Sequence, residues 1–278
     1  MADGAGSMWV TEVAFLLQSV LPMEEVCLKM CRLMGYVSSS PESFGEVVGE
    51  NLQEFIELSS VHCDGWGITT LNRGDDIARL VKAPEIARSS DNFKSTLNNT
   101  NADGALMHFR WATSGLPVSE ENTHPFTHGG YTFIHNGAIY PPAALDGLIN
   151  NKYKPFIKGD TDSERYFYFL LTEIDRDGLV EGITSAIKKL RQFDFSSINA
   201  MLMNGTEFVT ICEHDPKRKP DWATDGYYDL YYKVSQRNGG SEVVVASSGW
   251  DQSGWTNLPN HSILIADRAA LTVKVLTV

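Results

Sequence analysis

Basic residues are scarce in this chain. It has 23 lysines and arginines against 35 aspartates and glutamates, a net charge of −12 over 278 residues. The densest basic run, Lys217-Arg218-Lys219, is three residues in a loop-like stretch. Phosphate backbones need a basic face, so nucleic acid is excluded as the main partner. A small anion is not excluded, because one local arginine binds a carboxylate whatever the global charge. Cysteines are few as well: Cys27, Cys31, Cys63 and Cys212 form no CxxC and no zinc spacing. Free thiols in a reducing cytosol are the expectation for Cys63 and Cys212. Neither a Walker loop nor a GxGxxG is present. No apolar run is long enough to span a bilayer. Met8 to Met23 is apolar, but it carries Glu12 in its middle and lacks a basic segment before it, so a secretory signal is rejected. The expectation is a cytoplasmic enzyme without a membrane partner.

What remains is the composition of an ordinary globular protein, 42% apolar and 21% charged, with no internal repeat. Arg32 to Val37 reads as a short buried strand, followed by a loop, SSSPES. Phe44 to Leu58 has apolar residues at helical spacing. Trp66 to Leu71, Ala105 to Phe109 and Tyr131 to His135 read as strands, the last ending in Asn136-Gly137. Asp162 to Ile174 and Leu179 to Phe193 read as helices. From Ile198 onward the chain is mostly short β-branched and aromatic runs. Strands, then two helices, then strands must bury their faces on one another, which predicts an α+β fold, a layered αββα sandwich. No linker divides residues 31–278, whereas residues 1–30 look unlike the rest.

Five local signals carry chemistry: MCRLMGY (Met30 to Tyr36), HFRWATSG (His108 to Gly115), NTHPF (Asn122 to Phe126), IHNG (Ile134 to Gly137) and TDSE (Thr161 to Glu164). A thiol of ordinary pKa, about 8.5, needs a base near neutrality. A cysteine at the amino terminus of its own chain supplies one, because a free α-amine titrates at about 7.7–8.0. Cys31 fits only if it is the first residue; otherwise it reads as a buried packing residue. Arg110 can hold a carboxylate bidentately with help from Thr113, or be a salt-bridged strand end beside Trp111 as a packing anchor. Asn136 and Gly137 are either a β-turn or an oxyanion hole, in which one donor contributes about 3–4 kcal/mol. Thr161 and Glu164 fit a capping box, leaving Asp162 in the first helical turn, free to pair with an ammonium group. His124 is a polar contact of the site or a structural histidine.

In this order the set resembles the class II glutamine amidotransferases, the family with an N-terminal nucleophile. MCRLMGY looks like that family's start, His108-Phe-Arg-Trp-Ala-Thr-Ser-Gly its glutamine-binding strand, Asn122-Thr-His-Pro the following loop, His135-Asn-Gly its oxyanion hole and Thr161-Asp-Ser-Glu its ammonium-binding turn. HCDGWGI (His62 to Ile68) resembles a strand of its compact stand-alone members. The resemblance implies a four-layer αββα sandwich of two stacked, mostly antiparallel sheets. It implies Cys31 as nucleophile and, through its α-amine, base. It implies Arg110 and Thr113 on the α-carboxylate, Asp162 on the α-amine, and Asn136 and Gly137 on the oxyanion, with Trp111 and His124 as further candidate substrate contacts. Attack on a γ-amide gives a γ-glutamyl thioester, releases ammonia or an amine, and needs no metal or cofactor. The substrate is glutamine or another γ-glutamyl compound. The acceptor is a separate synthase subunit or water; stand-alone relatives include γ-glutamyl-conjugate hydrolases, as in ergothioneine biosynthesis. A catalytically silent γ-glutamyl-binding protein is the alternative if residues 1–30 are retained.

Those 30 residues depart from the family pattern. The first expectation is translation from Met30, since Glu24-Glu25-Val26 can be encoded by a purine-rich ribosome-binding sequence just upstream. A propeptide cleaved before Cys31 is the second and a retained extension the third.

Overall fold

The strand after Cys31, β1 (Arg32–Glu42), sends its side chains alternately into two cores. Leu33 and Val37 enter one, Met34 and Tyr36 the other, the period of two of an extended chain. A strand apolar on both faces must be covered on both, and that requirement builds the layers. The computed structural model describes residues 31–112, 115–219, 223–237 and 239–278. The elements after β1 are α1 (Phe44–Val48), α2 (Leu52–Glu57), β2 (Trp66–Thr70), β3 (Arg79–Ala83), α3 (Asp91–Asn98), β4 (Ala102–Phe109), β5 (Phe126–His128) and β6 (Tyr131–Tyr140). Then come α4 (Asp162–Asp177), α5 (Leu179–Leu190), β7 (Asp194–Met203), β8 (Glu207–Cys212), β9 (Leu230–Arg237), β10 (Gly240–Ser247), β11 (Thr256–Leu258), β12 (Ser262–Asp267) and β13 (Val273–Thr277).

One sheet has the order β11-β9-β10-β1-β4-β2-β3 and the other β13-β12-β8-β7-β6-β5. Every strand pair is antiparallel. Leu33, Leu106, Ile134, Met201, Phe208 and Leu264 fill the space between the sheets. The first sheet's outer face packs Met34, Tyr36 and Met107 against Phe44, Phe55 and Phe93 of α1, α2 and α3. The second sheet's outer face packs Phe133, Ile198 and Leu202 against Phe167, Leu170, Ile183 and Ile187 of α4 and α5. The result is the expected αββα sandwich. At Gly35 a Cβ would sit 2.6 Å from Leu106 Cδ2 of the same sheet and 2.9 Å from Phe208 Cζ of the other, so a larger residue there disturbs the packing between the layers.

Local structure departs from the sequence reading in several places. The 44–58 helix is broken: Gly49, at φ 78°, ends α1, and one 3₁₀ turn leads into α2. The stretch SSSPES is not a loop up to Glu42, because β1 continues through it, pairing Ser38 with Glu242 of β10 and Glu42 with Ala102 of β4. Its side chains from Ser39 to Pro41 are exposed, where a proline is tolerated in a strand. The sequence reading missed β3 and α3. Cys212 is a free buried thiol, as expected.

Candidate active site

The register of β1 against β4 pairs Arg32 with Phe109, so Cys31 lies across from Arg110. The thiol sits between the two backbone ends of Trp111. Trp111 N–H donates to Sγ at 3.4 Å, and Sγ lies 3.6 Å from the Trp111 carbonyl oxygen. Burial pushes the thiol up to about 11; Trp111, Arg110 and Arg32 pull it down, and Asp162 pushes it up. Arg110 and Asp162 therefore both lie within electrostatic reach of Sγ.

The stretch after β4 is locked on both sides. Arg110 N–H donates to Gly65 O at 2.7 Å, and Asp64 N–H donates to Arg110 O at 3.1 Å. The Asp64 carboxylate accepts from Ala112 N–H at 2.8 Å. Arg110 is buried, 3% exposed. One terminal amine donates to Pro117 O at 3.1 Å, and the other is buried without a hydrogen-bond partner. Among the described residues no carboxylate is in ion-pair range of it. A buried guanidinium in that condition is costly unless an anion arrives. Thr113, expected beside it, lies outside the described residues.

Asn122 ties this side of the site to the other. Its Nδ2 donates to Pro117 O at 3.2 Å, the oxygen that Arg110 also uses, and its Oδ1 accepts from Asp160 N–H at 2.8 Å. Asp160 precedes α4. Thr161 caps that helix, its hydroxyl accepting from Glu164 N–H at 3.2 Å. The capping box is only half made: the Glu164 carboxylate accepts from Lys158 and Gly159 N–H instead, closing the preceding loop. Asp162 opens α4, buried, and accepts from Ile139 N–H at 2.8 Å. Burial pushes its carboxyl up, and His135 pulls it down.

Asn136-Gly137 is not a turn. β6 runs through it to Tyr140, with a bulge between Gly137 and Ile139 in its pairing with β7. Gly137 has φ 146°, and a Cβ there would sit 1.9 Å from Ser197 O. Only glycine fits. Asn136 is 2% exposed, with its Oδ1 buried and unpartnered.

His135 joins these parts, and the sequence reading gave it no role. Its Nε2 lies 3.2 Å from Ser197 O and its Nδ1 2.9 Å from Ser163 Oγ. A carbonyl only accepts, so Nε2 carries the hydrogen and Ser163 donates to Nδ1. His108 Nε2 in turn donates to His135 O at 3.1 Å. Two imidazoles thus register the Asn136-Gly137 strand, that of His135 against β7 and α4 and that of His108 against β4. His124 stacks on His108 with ring centroids 4.1 Å apart, and neither of its ring nitrogens has a hydrogen-bond partner. It lies within electrostatic reach of Arg110 and is followed by a cis bond to Pro125. Trp111 packs with Ala223, Tyr227 and Tyr228. β9 begins at Leu230, two residues after this aromatic cluster. No group of three His, Cys, Asp or Glu among the described residues is arranged to hold a metal ion.

A thiol, a buried unpaired guanidinium, a buried carboxylate and a strand bulge in one place suit capture of a zwitterionic head with attack on a carbonyl beyond it. Comparison with known proteins agrees. The family Glutamine amidotransferases class-II matches residues 30–259. The chain is 32% identical to the probable glutamine amidotransferase DUG3 of Saccharomyces cerevisiae, over 84% of this chain and 81% of that one. It is also 32% identical to a glutamine–fructose-6-phosphate aminotransferase of Francisella tularensis, over 58% of this chain but only 25% of that one. Among solved structures, a glutamine aminotransferase class-II domain protein from Silicibacter pomeroyi superposes with a TM-score of 0.61 at 19% identity, covering 89% of this chain and 99% of that one. The glutamine phosphoribosylpyrophosphate amidotransferase of B. subtilis superposes at 0.56 and 18% identity, covering 89% and 49%.

Proposed function

The chain belongs to the class II glutamine amidotransferases, and from that premise we propose that it hydrolyses the γ-amide of glutamine or of a γ-glutamyl compound with Cys31 as an N-terminal nucleophile. The reading is carried by one observation: the Cys31 thiol lies within electrostatic reach both of the buried Arg110 guanidinium, one amine of which is unpartnered, and of the buried Asp162 carboxylate. Arg110 takes the substrate α-carboxylate, assisted by Thr113, and Asp162 the α-ammonium. Residues 1–30 are absent from the working enzyme; the family match begins one residue before Cys31, which supports this. The free α-amine takes the thiol proton as Sγ attacks the γ-carbonyl carbon. The Asn136 amide and Gly137 N–H hold the oxyanion. The C–N bond breaks, the leaving amine takes the proton back, and water cleaves the γ-glutamyl thioester to glutamate, with the α-amine again as base. Trp111 walls the thiol. His124 supports the strand behind Arg110 and does not touch substrate. The enzyme works in the cytoplasm. It either passes ammonia to a synthase subunit or uses water alone as acceptor. Coverage of 81% of the yeast relative against 25% of the aminotransferase supports the second case.

The test is mass spectrometry of the enzyme with substrate. A transient gain of one γ-glutamyl group on Cys31, with release of glutamate, is expected. Turnover without any adduct, or an adduct elsewhere, overturns the nucleophile. Two variants probe the binding groups. Arg110→Lys keeps the charge but loses the planar fork, and is expected to raise KM by about 10- to 100-fold with a smaller change in kcat. An unchanged KM would remove Arg110 from the substrate. Gly137→Ala, with its Cβ driven into Ser197 O, is expected to lower kcat by about 10²- to 10³-fold, the loss typical of one displaced oxyanion donor. Activity within threefold of the parent would mean that the bulge is no part of the hole.

A further inference from the structure

We propose that Arg32 binds a carboxylate on the leaving half of the substrate, so that γ-glutamyl amino acids or peptides are preferred over glutamine itself. The proposal rests on the γ-glutamyl reading above and adds a second anion subsite to it.

Glutamine carries one carboxylate, yet two buried guanidiniums lie beside the thiol. Arg110 is one and Arg32, 7% exposed, is the other. Arg32 is paired with Phe109 and shares its face of the sheet, whereas Cys31 and Arg110 lie one residue further along their strands and take the opposite face. One terminal amine of the Arg32 side chain donates to Cys31 O at 3.1 Å. That contact holds the guanidinium within a single residue of Sγ. Its Nε is buried without a hydrogen-bond partner. No carboxylate among the described residues is in ion-pair range of it. Burial pulls the group down to about 10, the mark of a cation whose surroundings supply too little compensation.

Its neighbours form the rest of a subsite. The guanidinium carbon lies 5.7 Å from the centroid of the Tyr227 ring. Tyr227 packs with Ala223, Tyr228 and Trp111, and Trp111 is the residue whose backbone brackets Sγ. Gly249 backs the guanidinium on the other side, where a Cβ would come within 3.3 Å of an Arg32 terminal amine. If Arg110 and Asp162 take the glutamyl head and Sγ meets the γ-carbonyl, what projects past Sγ is the leaving amine. A leaving amine that is an amino acid brings its own carboxylate to Arg32 and its side chain to the aromatic wall. Ammonia brings neither.

The experiment compares two substrates that differ only in that carboxylate, γ-glutamyl-alanine and γ-glutamyl-alaninamide. A charge-assisted pair at a buried site predicts that kcat/KM favours the free acid by about 10- to 100-fold. Arg32→Met is expected to reduce that ratio to about twofold or less. Arg32→Lys, which keeps the charge and the fold if the methionine variant does not fold, is expected to reduce it by about three- to tenfold. Equal turnover of the two compounds by the parent enzyme overturns the Arg32 assignment and leaves the γ-glutamyl reading intact. So does a ratio unchanged in both variants. No turnover of either compound or of glutamine overturns the γ-glutamyl reading, and this proposal with it.

Discussion

An enzyme whose Cys31 is preceded by an uncleavable residue is expected to lose turnover by at least about 10³-fold relative to the same chain starting at Cys31. The reason lies in the thiol. Burial holds it at about 11, so at pH 7 only about one molecule in 10⁴ carries a spontaneous thiolate. Arg110 and Arg32 favour the anion but do not outweigh desolvation. Among the described residues no histidine or carboxylate hydrogen-bonds Sγ, and the polar contacts it makes there are to the backbone of Trp111. The proposed base is the α-amine of Cys31 itself, and positioned general bases contribute about 10²–10⁴-fold. The check is steady-state kinetics on two preparations, with intact mass fixing each N-terminus. Cys31→Ala in the shorter form sets the background. Equal rates from the blocked and free forms would mean that some other group takes the proton. The pH profile adds a second reading. The free form should gain activity as the α-amine deprotonates, at about 7.7–8.0, and the blocked form should show no rise there.

Acid is expected to destabilise the fold well before the carboxylates titrate. His62, His108 and His124 are all buried, and desolvation pulls each below the ordinary imidazole value, His108 to about 3. A depressed folded-state pKa means stability that is present above the unfolded value, about 6.5, and lost as pH falls below it. Each such group contributes a slope of about 1.4 kcal/mol per pH unit in that window. Between pH 7.5 and 5.5, three histidines therefore remove about 4 kcal/mol, a large share of the usual 5–15 kcal/mol. Asp162 acts the other way over the carboxylate range, because burial raises it and protonation relieves that cost. Calorimetry at the two pH values should show Tm falling by roughly 8–16 °C. His124→Asn, which removes one proton acceptor from the wall, should flatten the dependence by about a third. A Tm change under about 2 °C would mean that these rings do not resist protonation.

The short motifs were legible in the sequence because each residue type carries its chemistry with it. Cysteine, the two arginine-bearing stretches and TDSE can be read without knowing what lies beside them. Their surroundings could not be read. Asn136-Gly137 has a strong turn propensity, yet pairing with Asn199 and Ile198 of β7 overrides it and a bulge follows. Glu164 was assigned to a capping box by spacing, but two backbone N–H groups six and five residues upstream compete for it. His135, Asn122 and Tyr227 act through partners 28, 38 and roughly two hundred residues away in sequence, and no local pattern encodes such distances. β3 was missed because its burial is intermediate, leaving little apolar signal. The layer order was readable from the strand and helix sequence alone, since apolar faces leave few ways to cover them.

The bridge through Asn122 has a stereochemical consequence. By holding Pro117 O with one end of its amide and Asp160 N–H with the other, it fixes the separation between the cation at Arg110 and the anion at Asp162. Cys31 supplies a third point from a different strand. Three points from three elements, at set distances, distinguish a centre from its mirror image. One amide side chain, touching neither charge, thereby makes the cleft handed.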